Sequence, residues 1–200
     1  MHINLLFPTP VLIFDINRDI TEQELAFINS QPTRSNIGNT TSTDSYILKN
    51  IELIDFYNFF KDCLKQYLET IYNSTSDINL RITQSWINYT QPGGFHHKHQ
   101  HANSFISGVF YIQTNEETDR IYFFKNQYEQ LKLAINEWTY YNTESWWFSS
   151  IKGQLLLFPS SLTHSVENTS VDSSTRISIS FNTFPVGILG IKEELTELCL

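Results

Sequence analysis

The sequence predicts a mainly β protein of the sandwich or jelly-roll class, with helices flanking its N-terminal side. Three observations predict it. From residue 78 onward, short β-branched or aromatic segments follow one another between polar turns, with no helical period among them. They are INLRITQSWINY, FISGVFYIQ, RIYFFK, SWWFSS, GQLLLFP and RISISFNTF, a series that suits packed β-sheets. Before residue 78 the apolar spacing is helical. Finally, hydrophobic residues make up 40% of the 200 and aromatics 14%, with only 7 Gly and 6 Pro, which supplies a core and excludes a disordered chain.

Taken in order, residues 5–16 read as a short strand pair around the turn at Pro8 and Pro10. Thr21 to Ser30 reads as a helix, because Thr21 as N-cap and Glu24 three residues later form a capping box. Residues 31–50 are rich in Ser, Thr and Asn and are expected to be loop. A longer helix is expected from Glu52 to Tyr72, since Leu53, Phe56, Phe60, Leu64, Tyr67, Leu68 and Ile71 share one face and read as core. Residues 127–137 suit either an inserted helix or a long loop. We expect one domain over 1–200: a strand and helical flank at 1–77 and the β core at 78–190.

Charge excludes some functions. Asp and Glu number 21 against 13 Lys and Arg, a net charge of -8 with no basic run, so nucleic-acid backbone binding is not expected. Cys63 and Cys199 stand too far apart in sequence to suggest a disulfide framework, and a reduced, cytoplasmic setting follows. The apolar N-terminus is broken by Pro8 and Pro10, ends at Asp15, and lacks a cationic start or a small-residue cleavage site. Nothing approaches the roughly 18 apolar residues that span a bilayer, so no membrane partner is expected. A homodimer is left open.

The chemistry concentrates in histidine. Four of the 6 histidines lie in His96-His97-Lys98-His99-Gln100-His101, after the turn Pro92-Gly93-Gly94. Residues two apart on a strand share a face, so His99 and His101 can chelate one metal, and His97 shares their parity. Farther on, Gly153 starts the apolar strand Leu155-Leu156-Leu157-Phe158, Pro159 ends it, and His164 follows. Twelve residues later, Arg176, Ser178, Ser180 and Asn182 alternate with Ile177, Ile179 and Phe181. A water-facing amphipathic edge strand explains that alternation simply. A guanidinium fork with a hydroxyl two residues on also makes a carboxylate clamp.

The order His99-x-His101, distant His164, then Arg176-x-Ser178 resembles the iron(II)/2-oxoglutarate-dependent oxygenases. Trp86-Ile87-Asn88-Tyr89, Gly93-Gly94, Ser107-Gly108-Val109-Phe110-Tyr111, Gly153 to His164 and Arg176 to Asn182 look like an uncharacterised bacterial and phage group within them. The likeness covers about residues 80–184. It implies a double-stranded β-helix, the cupin-like form of jelly roll, with Fe(II) held by His99, His101 and His164. It further implies 2-oxoglutarate held by Arg176 and Ser178, and O2 and an organic substrate as reactants. Asn88 would help to orient the cosubstrate, although a sheet-edge hydrogen bond suits it equally well. The family normally places a carboxylate where this chain has His101. Either His101 is the third ligand, as its spacing favours, or Glu116, Glu117 or Asp119 arrives from the next turn.

Two other classes compete. Gly93, five residues, then His99-x-His101 fits a cupin metalloenzyme, as does Gly153, five residues, Pro159, then His164 and Asn168. That reading lacks the expected Glu after His101 and does not need Arg176-x-Ser178. A non-catalytic jelly-roll module would use Trp86, Trp138, Trp146 and Trp147 to stack on sugars, although core packing explains these rings more simply. A three-histidine zinc hydrolytic site is chemically open but has less motif support.

Overall fold

In the computed structural model, the described residues are 1–74, 78–125, 131, 133–167, 169–170 and 174–200. Strand β1 (Leu12–Asp15) precedes helix α1 (Glu22–Asn29), the hairpin β2 (Thr33–Asn36) and β3 (Asn39–Ser42), and helix α2 (Ile54–Tyr67). The β core follows as β4 (Asn79–Thr90), β5 (His96–His99), β6 (Ile106–Gln113), β7 (Arg120–Phe124), β8 (Ser145–Ser149), β9 (Gln154–Pro159), β10 (His164–Val166) and β11 (Arg176–Val186). A short C-terminal ribbon pairs β12 (Ile188–Leu189) with β13 (Leu198–Cys199).

Two antiparallel sheets face each other. The larger runs β1-β9-β6-β11-β4-β3-β2 and the smaller β5-β10-β7-β8. From β4 to β11 the chain passes between sheets at every connection except the β7–β8 hairpin. That alternation is the double-stranded β-helix.

The alternation of β11 finds its cause here. This strand lies between β4 and β6, at no edge. Its apolar face meets α2, where Phe60 stacks on Phe181 at 5.1 Å and also packs 5.2 Å from Phe110. Phe56, Cys63, Leu64 and Tyr67 complete the helix side of this core. Gly108 stands opposite Phe181, and a Cβ there would lie 2.2 Å from the ring. The polar face of β11 looks into the space between the sheets. A second core of Val109, Tyr111, Ile121, Phe123, Leu156 and Phe158 fills part of that space.

The flank departs from the sequence reading in two places. Residues 5–11 form no strand: β1 pairs with β9 instead, since Pro8 and Pro10 have no N–H for a ladder. Residues 31–50, expected to be loop, hold the β2–β3 hairpin and short 3-10 turns. The Thr and Ser residues find ladder partners because β3 pairs with β4, and the Ser42 hydroxyl accepts from Ile87 N. The two expected helices are present. Thr21 and Glu24 form the capping box, and α2 continues through a π-helical turn at Leu68–Tyr72. Of the 127–137 insert, 127–130 and 132 lie outside the described residues; 131 and 133–137 carry no helix or strand.

Candidate metal and cosubstrate site

His99 ends β5 and His164 begins β10, directly opposite it in register. His101 lies just past the end of β5, where its backbone N–H donates to Ser160 O at 3.0 Å. The ring nitrogens of these three residues fall within 4.8 Å of one another. Backbone carbonyls set two of the tautomers. Nδ1 of His99 donates to His97 O at 2.7 Å and Nδ1 of His164 donates to Leu162 O at 3.0 Å, which leaves each Nε2 with a free lone pair.

The imidazoles are neutral. Burial first, then the other imidazoles nearby, pushes His101 down to about 3. Burial takes His164 down to about 4, the hydrogen bond to Leu162 opposing it. His99 is lowered by burial as well. All three therefore offer lone pairs at neutral pH.

This donor set fits a divalent first-row ion. Nε2 of His101 and Nε2 of His164 lie 3.3 Å apart. Two nitrogens bound at right angles, each about 2.1 Å from one ion, sit roughly 3 Å apart. Among the described residues no carboxylate joins the cluster. Glu116 and Glu117 are exposed, and Asp119 is buried in the turn where its Oδ2 accepts from Asn115 N.

Arg176 lines the same cavity and is 2% exposed. Its Nε and Nη1 are buried without a protein partner among the described residues. Burial lowers its pKa, with Tyr111 and Asp119 acting the other way. A buried guanidinium with two free donors is costly unless an anion meets it. Ser178, also buried, follows it on the same strand face. Asn88 lines the cavity too, its Oδ1 accepting from Trp86 Nε1 at 3.1 Å and its Nδ2 donating to the Ser180 hydroxyl at 2.9 Å.

Sequence reasoning left His96, Tyr111 and Trp86 without a role here, yet all three line the cavity. Burial, then His99 and Arg176, pushes His96 down to about 3. The strand alternation of Ser107–Tyr111 was the signal available for Tyr111. Beyond Phe123 and Leu162, which flank His164, a larger cavity of about 810 Å³ opens towards residues 3–9 and Tyr140 to Trp146.

Residues 84–182 match the family model described as "Putative 2OG-Fe(II) oxygenase". The chain belongs to that family. It is a 2-oxoglutarate-dependent oxygenase that uses Fe(II), O2 and an organic substrate. No curated protein matches the sequence. Solved structures share the oxygenase's fold at low identity. One is an oxidoreductase of the 2OG-Fe(II) oxygenase family from Burkholderia pseudomallei, with 12% identity and TM-score 0.59, covering 86% of this chain and 83% of that one. Another is a Trichoplax adhaerens prolyl hydroxylase in complex with a hypoxia inducible factor peptide fragment, with 14% identity and TM-score 0.61, covering 87% and 83%. A third is HygX from Streptomyces hygroscopicus with nickel, 2-oxoglutarate and hygromycin B bound, with 12% identity and TM-score 0.58, covering 88% and 82%. Among the oxygenase's described residues, no helix is long and apolar enough to cross a membrane.

Proposed function

We propose that His99, His101 and His164 hold the Fe(II) of this oxygenase, and that Arg176 with Ser178 holds the distal carboxylate of 2-oxoglutarate. The observation that carries this reading is the buried Nε and Nη1 of Arg176, unpartnered among the described residues, in the cavity that the three imidazoles also line. A dicarboxylate reaches from a metal to a cation, and the three imidazoles and Arg176 line one cavity.

Bound iron supplies O2 activation, coupling loss of CO2 from 2-oxoglutarate to oxidation of the substrate. The chain's own residues do the positioning. The carbonyls of His97 and Leu162 keep the protons of His99 and His164 on Nδ1, so Nε2 stays available. Arg176 presents a rigid fork that fixes the cosubstrate tail, and Ser178 adds a hydroxyl donor. Asn88, tied to Trp86 and Ser180, holds the neighbouring wall and retains one amide proton for the cosubstrate. Three neutral imidazoles leave the metal one unit more positive than two imidazoles and a carboxylate would, which favours a dianionic cosubstrate.

The organic substrate finds room in the 810 Å³ cavity beside Phe123 and Leu162, whose size suits a small organic molecule. Release of CO2 from carboxyl-labelled 2-oxoglutarate tests the whole reading. It should require added Fe(II) and fall to background in His164→Ala. Equal release by wild type and that variant would sink the assignment of the metal ligands.

A further inference from the structure

Strand β5 carries a second group of imidazoles. The ring nitrogens of His96, His97 and His99 lie within 4.8 Å of one another, just as those of His99, His101 and His164 do, so His99 belongs to both groups. A regular strand would turn His96 and His97 to opposite faces. β5 is irregular at this point. His99 stands opposite His164 and His96 opposite Val166, so β5 takes three steps where β10 takes two. An extra residue of this kind re-aims side chains. Here it brings the rings of His96 and His97 each to 4.8 Å from that of His99.

The surroundings suit a cation. Nδ1 of His97 is buried and has no partner among the described residues. The ammonium of Lys98, which would repel a metal, sits 3.7 Å over the Phe124 ring. His96, His97, Lys98 and Glu167 line a shallow pocket at the surface, with Phe95 and Val166 at its side. The group is therefore reachable from outside, whereas the inner one lies between the sheets.

We propose that His96, His97 and His99 form a second divalent-metal position, mutually exclusive with that of His99, His101 and His164. Exclusion follows from the shared imidazole. Nδ1 of His99 carries the proton given to His97 O, so a single lone pair serves both positions. Nitrogen donors of this kind take Fe(II), Co(II), Ni(II) or Zn(II). One ion is held per chain, and an ion in the outer position deprives the inner one of a ligand. The exclusivity rests on the iron-site reading above; the second position itself does not.

Anaerobic titration of the metal-free full chain with Co(II), followed by its visible absorption and by bound metal per chain, tests this. Wild type should bind one equivalent. His101→Ala/His164→Ala should still bind one equivalent, and adding His97→Ala should weaken that binding by more than about 10-fold, beyond the smallest effect of losing a mere supporting group. No cobalt on the double variant, or cobalt unaffected by His97→Ala, overturns the second position. Two equivalents on wild type overturn exclusivity. Equal cobalt affinity and an equal visible spectrum in wild type and double variant, both lost on His97→Ala, would instead overturn the iron-site reading and leave the second position standing. If circular dichroism shows that the double variant does not fold, His101→Ala with and without His97→Ala gives the same comparison, because His101 lies beyond the strand end.

Discussion

His164 opens β10 directly opposite His99 of β5, and their rings lie 4.4 Å apart. Strand pairing, which loop motion does not disturb, sets this distance. His164→Ala should leave the metal-free fold intact by circular dichroism. Added to His97→Ala, which removes the outer position, it should weaken Co(II) binding at least about 100-fold, the upper end of what removing a supporting partner costs. Unchanged affinity would remove His164 from the metal site.

Arg176→Ala should weaken 2-oxoglutarate binding by roughly 30- to several-thousand-fold, the loss of about 2–5 kcal/mol expected when one partner of a buried charge pair goes. Arg176→Lys should recover only part of it, because an ammonium lacks the fork. Anaerobic titration of 2-oxoglutarate into the Fe(II)-loaded protein, read by the visible band of the chelate, measures both. Equal binding by wild type and Arg176→Ala would reject the anchor.

Phe60 fills the space between Phe56, Phe110 and Phe181. Phe60→Ala should destabilise the fold by about 3–5 kcal/mol in urea unfolding, as cavity-forming Phe substitutions do. A cost under about 1 kcal/mol would mean that α2 is not part of the cooperative core.

Glu24 supplies a pH dependence. Burial alone would raise its carboxyl, but the Arg18 fork and the Thr21 hydrogen bonds outweigh burial and hold it below the ordinary 4.5. A carboxyl lowered in the fold stabilises fully above its unfolded value and loses that contribution as pH falls through its folded value. Glu24→Gln should therefore cost about 2–3 kcal/mol at pH 7 and less at pH 3. Urea midpoints of both proteins at the two pH values check it; a pH-independent difference would contradict the charge pairing.

How much of this was legible in the sequence depends on how local the cause is. The α1 cap was visible because Thr21 and Glu24 settle it between themselves. The polar face of β11 was visible because alternation survives in any antiparallel setting, although its place at the sheet centre was not. The β2–β3 hairpin was missed because its Thr and Ser residues become strand only against β4. His96 was given no role because the even-and-odd rule puts it opposite His99. The extra residue in β5, set by pairing with β10, overrides that rule and leaves no mark in the sequence.

The pairing of β1 with β9 reaches across most of the chain, joining Leu12 to Leu157 and Phe14 to Leu155. Such closures lose much chain entropy before any contact repays it, so folding should be slow for a protein of this size. A ribosome has made most of the polypeptide before β9 emerges, and His164 emerges later still. Until then the apolar strands β4 and β6 wait without their neighbour β11, exposed to association with other chains. Metal capture is thus a late event in biosynthesis. Stopped-flow refolding should show tryptophan fluorescence recovering on the millisecond-to-second scale of non-local β topologies, with cobalt binding never preceding it.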